Sequence, residues 1–77
     1  MSTDNYRAAH RLIRDHGFVV TGTSRRETAT LDLPDGNRAT IISDVVKGRL
    51  TSCAISGQGC VALSILTDRL DRTKESQ

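Results

Sequence analysis

The sequence predicts an α+β domain: an N-terminal and a C-terminal helix packed on one face of an antiparallel sheet of three to four strands, in the order α-β-β-β-(β)-α. Three observations predict it. His16-Gly17 stops a helix and leads into Phe18-Val19-Val20, whose aromatic and branched side chains fit a pleated surface. Thr28 to Leu33 alternates strictly, with Ala29, Leu31 and Leu33 set against Thr28, Thr30 and Asp32. A period of two sends the first set to a core and the second to water. Pro34-Asp35-Gly36-Asn37 is a turn: Pro34 pre-sets φ, Asp35 bonds its own backbone and Gly36 accepts positive φ.

Taken in order, Ser2 and Thr3 are good N-cap residues, and Asp4 places negative charge in the first turn, where the helix dipole favours it. The first helix is expected from about Asp4 to His16. On a helical wheel Tyr6, Ala9, Leu12, Ile13 and His16 form the arc that faces the sheet, and Arg7, His10, Arg11 and Arg14 form the opposite, basic arc. His16 reads as a capping or partly buried histidine. Gly22-Thr23-Ser24-Arg25-Arg26 is a polar loop between the first two strands, and Arg38 to Ser43 is the return strand after the Pro34 turn. Lys47-Gly48 reads as a turn, with Val45 and Val46 either ending the third strand or folding back over the core. Leu50 to Ser56 has the composition of a fourth strand with imperfect alternation. The last helix is expected from about Gln58 to Arg72, with an apolar stripe of Ala62, Leu63, Ile65, Leu66 and Leu70.

No linker, repeat or low-complexity stretch divides the chain, so residues 1–77 are expected to form one domain whose polar tails, about 1–3 and 73–77, fray. A domain of 77 residues buries only about 60% of its unfolded surface, which favours help from a partner or a second copy. Exposed edges of a short sheet make a homodimer one such arrangement. No run approaches the ~20 apolar residues that span a bilayer and no signal-peptide pattern opens the chain, so no membrane contact and a cytoplasmic location are expected.

Charge is unevenly placed. Residues 1–26 carry five arginines against Asp4 and Asp15, whereas the remainder is slightly acidic, for a net charge of +2. Arg7, His10, Arg11 and Arg14 on the helix, with Arg25 and Arg26 in the loop, are therefore the candidate contacts for a phosphate-bearing or acidic partner. The plainer reading of the same stripe is a solvated helix face. Tyr6 and Phe18 are the only aromatic residues, which argues against single-strand recognition by base stacking. Cys53 and Cys60 are too few for a zinc site, His10 and His16 do not supply the missing spacing, and no cofactor or metal is expected.

Ser56-Gly57-Gln58-Gly59-Cys60 is the one stretch that suggests catalysis, since a Gly-rich turn before a helix gathers N–H groups and a cysteine in the first helical turn is activated. The Lys and Ser or Thr of a P-loop are missing, and Leu66 stands where a cysteine phosphatase needs Arg. Cys60 then reads more simply as a small packing residue at a tight turn. No two of Glu27, Asp32, Asp35 and Asp44 are placed by the sequence as an acid–base pair.

The corner Leu12-Ile13-Arg14-Asp15-His16-Gly17-Phe18 and the turn Leu33-Pro34-Asp35-Gly36-Asn37-Arg38 resemble those of the HicA-type toxins of toxin–antitoxin systems over about Leu12 to Ile42. Those are small α-β-β-β-α domains related in shape to double-stranded-RNA-binding domains. The resemblance implies a similar scaffold and nucleic-acid binding. That family's ribonuclease activity rests on a histidine in a Gly-Ser-His segment of the second strand. Here Ser24-Arg25-Arg26-Glu27-Thr28 stands in that place without one, which argues against RNA cleavage, and no catalytic residue is carried over.

The leading expectation is a non-enzymatic module that binds structured RNA or a duplex through the basic helix face and the Arg25-Arg26 loop. The rival is a protein-binding inhibitor or adaptor of the phage or mobile-element type, acting on a host or defence complex. A weaker third is an enzyme dependent on Cys60.

Overall fold

A computed structural model describes residues 2–75, from helix α1 (Ser2–His16) to helix α2 (Leu63–Glu75), with the strands between them. The helices reach further toward the termini than the expected bounds, and Met1, Ser76 and Gln77 of the tails lie outside the described residues.

Helix α1 ends as its sequence requires. Gly17 takes φ 74°, and the Phe18 N–H donates to the Ile13 carbonyl at 3.0 Å. This six-to-one bond satisfies an orphan helical carbonyl and turns the chain sharply into the sheet. Phe18 is buried directly beyond the cap.

Five strands follow in sequence order, β1 (Val19–Gly22), β2 (Arg26–Asp32), β3 (Arg38–Asp44), β4 (Arg49–Ile55) and β5 (Gly59–Cys60), all antiparallel to their neighbours. The two faces read from Thr28 to Leu33 are present: Ala29 and Leu33 are buried, Leu31 is half-buried against the core and Asp32 is exposed, whereas Thr28 and Thr30 are half-buried and not fully in water. The cross-strand row Ala29–Ile41–Cys53 faces the helices, as does Leu31–Ala39–Ile55. On the same side Ala9, Leu12, Ile13, Leu66 and Leu70 close the core. The rows Thr28–Ile42–Ser52 and Thr30–Thr40–Ala54 form the uncovered face.

The Pro34 turn is built as expected. The Gly36 N–H donates to the Leu33 carbonyl at 3.1 Å, and the Asn37 N–H donates to Asp35 Oδ1 at 3.1 Å. Residues 45–48 form the next turn, so Val45 and Val46 neither extend β3 nor fold back over the core.

The sheet departs from expectation in two places. The imperfect alternation of Leu50 to Ser56 has a structural cause. Ile42 pairs with Ser52 while Ser43 pairs with Leu50, leaving Thr51 as the extra residue of a β-bulge. The bulge resets the pleat, so that Leu50, Cys53 and Ile55 all reach the helix side.

The second departure corrects the start of the last helix. Residues 56–58 turn, with the Gln58 N–H donating to the Ile55 carbonyl at 3.0 Å, and Gly59-Cys60 returns as β5 against Ala54 and Ile55. The helix begins only at Leu63, where Ile65 and Leu66 both donate to the Ala62 carbonyl. The open edge of β4 offers the chain backbone partners, and Gly57 and Gly59 weaken the helical alternative. Ile65, expected on the apolar stripe, is exposed.

Ser43 is 1% exposed on the helix side, and its Oγ finds no hydrogen-bond partner among the described residues. An unmet hydroxyl of this kind costs about 1–3 kcal/mol.

Candidate nucleic-acid interface

The basic residues of α1 follow helical geometry. Positions three and four apart are neighbours, so Arg7, Arg11 and Arg14 share one exposed strip, and they line an open surface groove with Tyr6, His10 and Ile13. Arg14 Nε lies 3.6 Å from Asp15 Oδ1, an exposed pair of little energetic weight. Arg7 and Arg11 make no ion pair among the described residues.

His10 is drawn away from that strip, which corrects its place on the arc opposite the sheet. It lies one residue, about 100° around the helix, from Ala9 at the centre of the buried face. From that flank its ring packs on Tyr6, with centroids 4.3 Å apart, and Nε2 comes within 3.3 Å of Glu27 Oε2 on β2. Nε2 is buried although the side chain as a whole is about a third exposed, and it has no well-directed hydrogen bond among the described residues, so the contact with Glu27 is close but poorly aligned. His10 therefore braces α1 against the sheet from the edge of the basic groove. His16 is half-buried at the other end of α1, where it borders the Pro34 turn.

Arg25 and Arg26 are exposed, and the fold brings to them two cations that sequence reasoning missed. The Val45 N–H donates to the Arg25 carbonyl at 2.9 Å, which stitches the β1–β2 loop to the β3–β4 turn. Arg26, Asp44 and Arg49 form one cross-strand row, and Lys47 follows in the turn, where its N–H donates to Asp44 Oδ1 at 3.2 Å. Arg25, Arg26, Lys47 and Arg49 thus crowd one end of the sheet around a single acid, with exposed Val46 at the tip. Thr23 holds the loop in shape, its Oγ1 accepting the N–H groups of Arg25 and Arg26 at 3.3 and 3.2 Å. The signal that could have found Lys47 and Arg49 is their position in, and directly after, the turn adjacent to the Arg25 loop in a meander.

This end adjoins the N-terminal half of α1: a Cβ at Gly48 would stand 4.0 Å from Tyr6 Cδ2. The other basic residues with described side chains are matched by acids. Arg38 Nε meets Asp32 Oδ1 at 2.8 Å, Arg72 Nε meets Asp68 Oδ2 at 3.1 Å, and Arg69 is paired with Asp35. The Asn37 N–H, with Arg69 beside it, holds the Asp35 carboxyl below its ordinary value of 3.8. That stabilising contribution is present above the unfolded value and is lost as pH falls through the lower folded one.

Cys60 is in a strand rather than a first helical turn, exposed, with Sγ 3.9 Å from Ser52 Oγ. Cys53 is buried, and burial, with Cys60 nearby, pushes its thiol up from 9.0. Mass spectrometry after alkylation of the native protein should therefore show Cys60 modified alone. Cys53 should react only on unfolding, and equal rates for both thiols would contradict this packing. Among the described residues no group of three or more His, Cys, Asp or Glu side chains could hold a metal ion, and no helix is long and apolar enough to cross a membrane.

Comparison with family models, curated proteins and solved structures finds no match to this chain.

Proposed function

We propose that this domain is a non-enzymatic module that binds structured RNA or a nucleic-acid duplex. The contacts are the Arg7, Arg11 and Arg14 strip and the Arg25-Arg26 loop, joined by Lys47 and Arg49. The observation that carries this reading is the concentration of exposed cations in two places, the outer side of α1 and the loop end of the sheet, accompanied by Asp15 and Asp44, while Arg38, Arg69 and Arg72 are matched by carboxylates elsewhere. Exposed guanidinium groups that outnumber the acids beside them are suited to phosphate oxygens, and such contacts supply affinity with little sequence information. A duplex or folded RNA fits better than a single strand, because Phe18 is buried and Tyr6 is half-buried with its ring packed on His10, leaving no fully exposed aromatic ring among the described residues for base stacking.

The test is a binding curve for duplex RNA and DNA at two salt concentrations, with wild type beside Arg7→Gln/Arg11→Gln/Arg14→Gln. These side chains are exposed, so the fold should persist. Affinity should fall, and the salt slope should flatten by up to about 2.7, at roughly 0.9 for each phosphate no longer neutralised. Wild type with no salt-sensitive binding at micromolar concentration would overturn this reading. Capture of a protein partner after nuclease treatment would then support the inhibitor or adaptor.

A further inference from the structure

We infer that the β1 edge is the interface of a closed two-fold homodimer, in which β1 pairs antiparallel with β1 of a second copy. Strand β1 is paired only with β2, so alternate backbone groups along its outer side point away from the sheet without a strand partner. Natural edges are usually guarded by a charge, a proline or a bulge. Val19–Gly22 has none of these, and residues 17–24 carry no charged side chain, although 26% of the chain is charged.

The two valines indicate what kind of partner fits. Val19 is 64% exposed and Val20 47% exposed. Val19 shares a row with Thr30 of the uncovered face, and Val20 shares one with Ala29 of the helix side. A partner laid on either face would cover one valine and leave the other in water. A strand added at the edge meets the backbone groups and places side chains beside both valines at once. A second β1 supplies matching branched residues, and cross-strand pairs of branched side chains pack well.

Symmetry selects a dimer over a filament. Head-to-tail assembly needs a second complementary edge, and the opposite edge is broken up: β5 is only two residues long, and the part of β4 it leaves open carries the charge of Arg49 and the Thr51 bulge. Pairing β1 with itself uses the same patch on both copies and leaves free only the bulged, charged start of β4 beyond the short β5. The nearest charges beyond the segment, Asp15 and Arg25, differ in sign, so antiparallel pairing brings unlike ends together. Asp15 shares its charge with Arg14 at 3.6 Å, so this effect favours a direction and adds little strength.

Sedimentation equilibrium under reducing conditions tests the inference. Wild type should approach twice the 8.4 kDa chain mass as concentration rises. Val19→Lys and Val20→Lys, each on an exposed position, should remain monomeric with an unchanged circular dichroism spectrum. In wild type, alternate amides of β1 should gain hydrogen-exchange protection with concentration, a readout that needs no variant. A wild type that stays monomeric throughout overturns the dimer. Association that survives both lysine variants, or β1 amides indifferent to concentration, overturns this edge as its interface.

Discussion

Gly22→Ala is expected to be among the most damaging single substitutions in the chain, destabilising it by about 3 kcal/mol or more. Two effects add. Gly22 has φ 121°, a conformation that a residue with a Cβ rarely adopts. A Cβ there would also stand 2.3 Å from the Arg26 carbonyl oxygen and 3.2 Å from Glu27 Cα. Both neighbours are backbone of β2, so relief requires the β1–β2 corner to open, not a side chain to swing away. In a domain this small the loss is a large share of total stability. Gly17→Ala is the control, because Gly17 also has positive φ but a Cβ there meets nothing within 4 Å. Urea denaturation should show the Gly22 variant losing clearly more stability than the Gly17 variant. Equal losses would mean that the close approach at the corner is not felt.

Replacing Arg25, Arg26, Lys47 and Arg49 together by Gln is expected to impair duplex binding more than any change confined to α1. All four side chains are exposed, and the Arg25 carbonyl that accepts the Val45 N–H is backbone, so the corner should keep its shape. The salt slope should flatten by up to about 3.6, at roughly 0.9 for each of four phosphates no longer neutralised. The formal net charge also moves from +2 to −2 when four cations are removed. Arg38→Gln/Arg72→Gln separates this general effect from the local one, because both arginines are paired with acids. Binding isotherms for this control should stay close to wild type. If the control loses as much affinity per charge as the quadruple variant, the phosphate contacts are not localised at the loop end.

What the sequence determined by itself is what adjacent residues decide among themselves. The Gly17 cap, the Pro34-Asp35-Gly36 turn and the alternation of Ala29, Leu31 and Leu33 depend on spacings of a few residues, and all three are present. From them follow the helix-to-sheet corner, the central hairpin and the face that α1 and α2 must cover. The strip of Arg7, Arg11 and Arg14 is legible for the same reason, since helical periodicity alone puts these residues on one side. Tertiary structure decided whatever needed a partner distant in the chain. Gly59-Cys60 became a strand because β4 presented an open edge, and Thr51 became a bulge because Ser43 had to meet Leu50. The flank position of His10 follows from helical geometry, but its neighbour there, Glu27 of β2, is supplied only by the fold. Lys47 and Arg49 joined Arg25 and Arg26 only because the meander folds one loop onto the next turn, closed by the Val45–Arg25 backbone bond. Local rules set the conformation of each segment, and the pairing of strand edges, which no short window contains, set which charges meet.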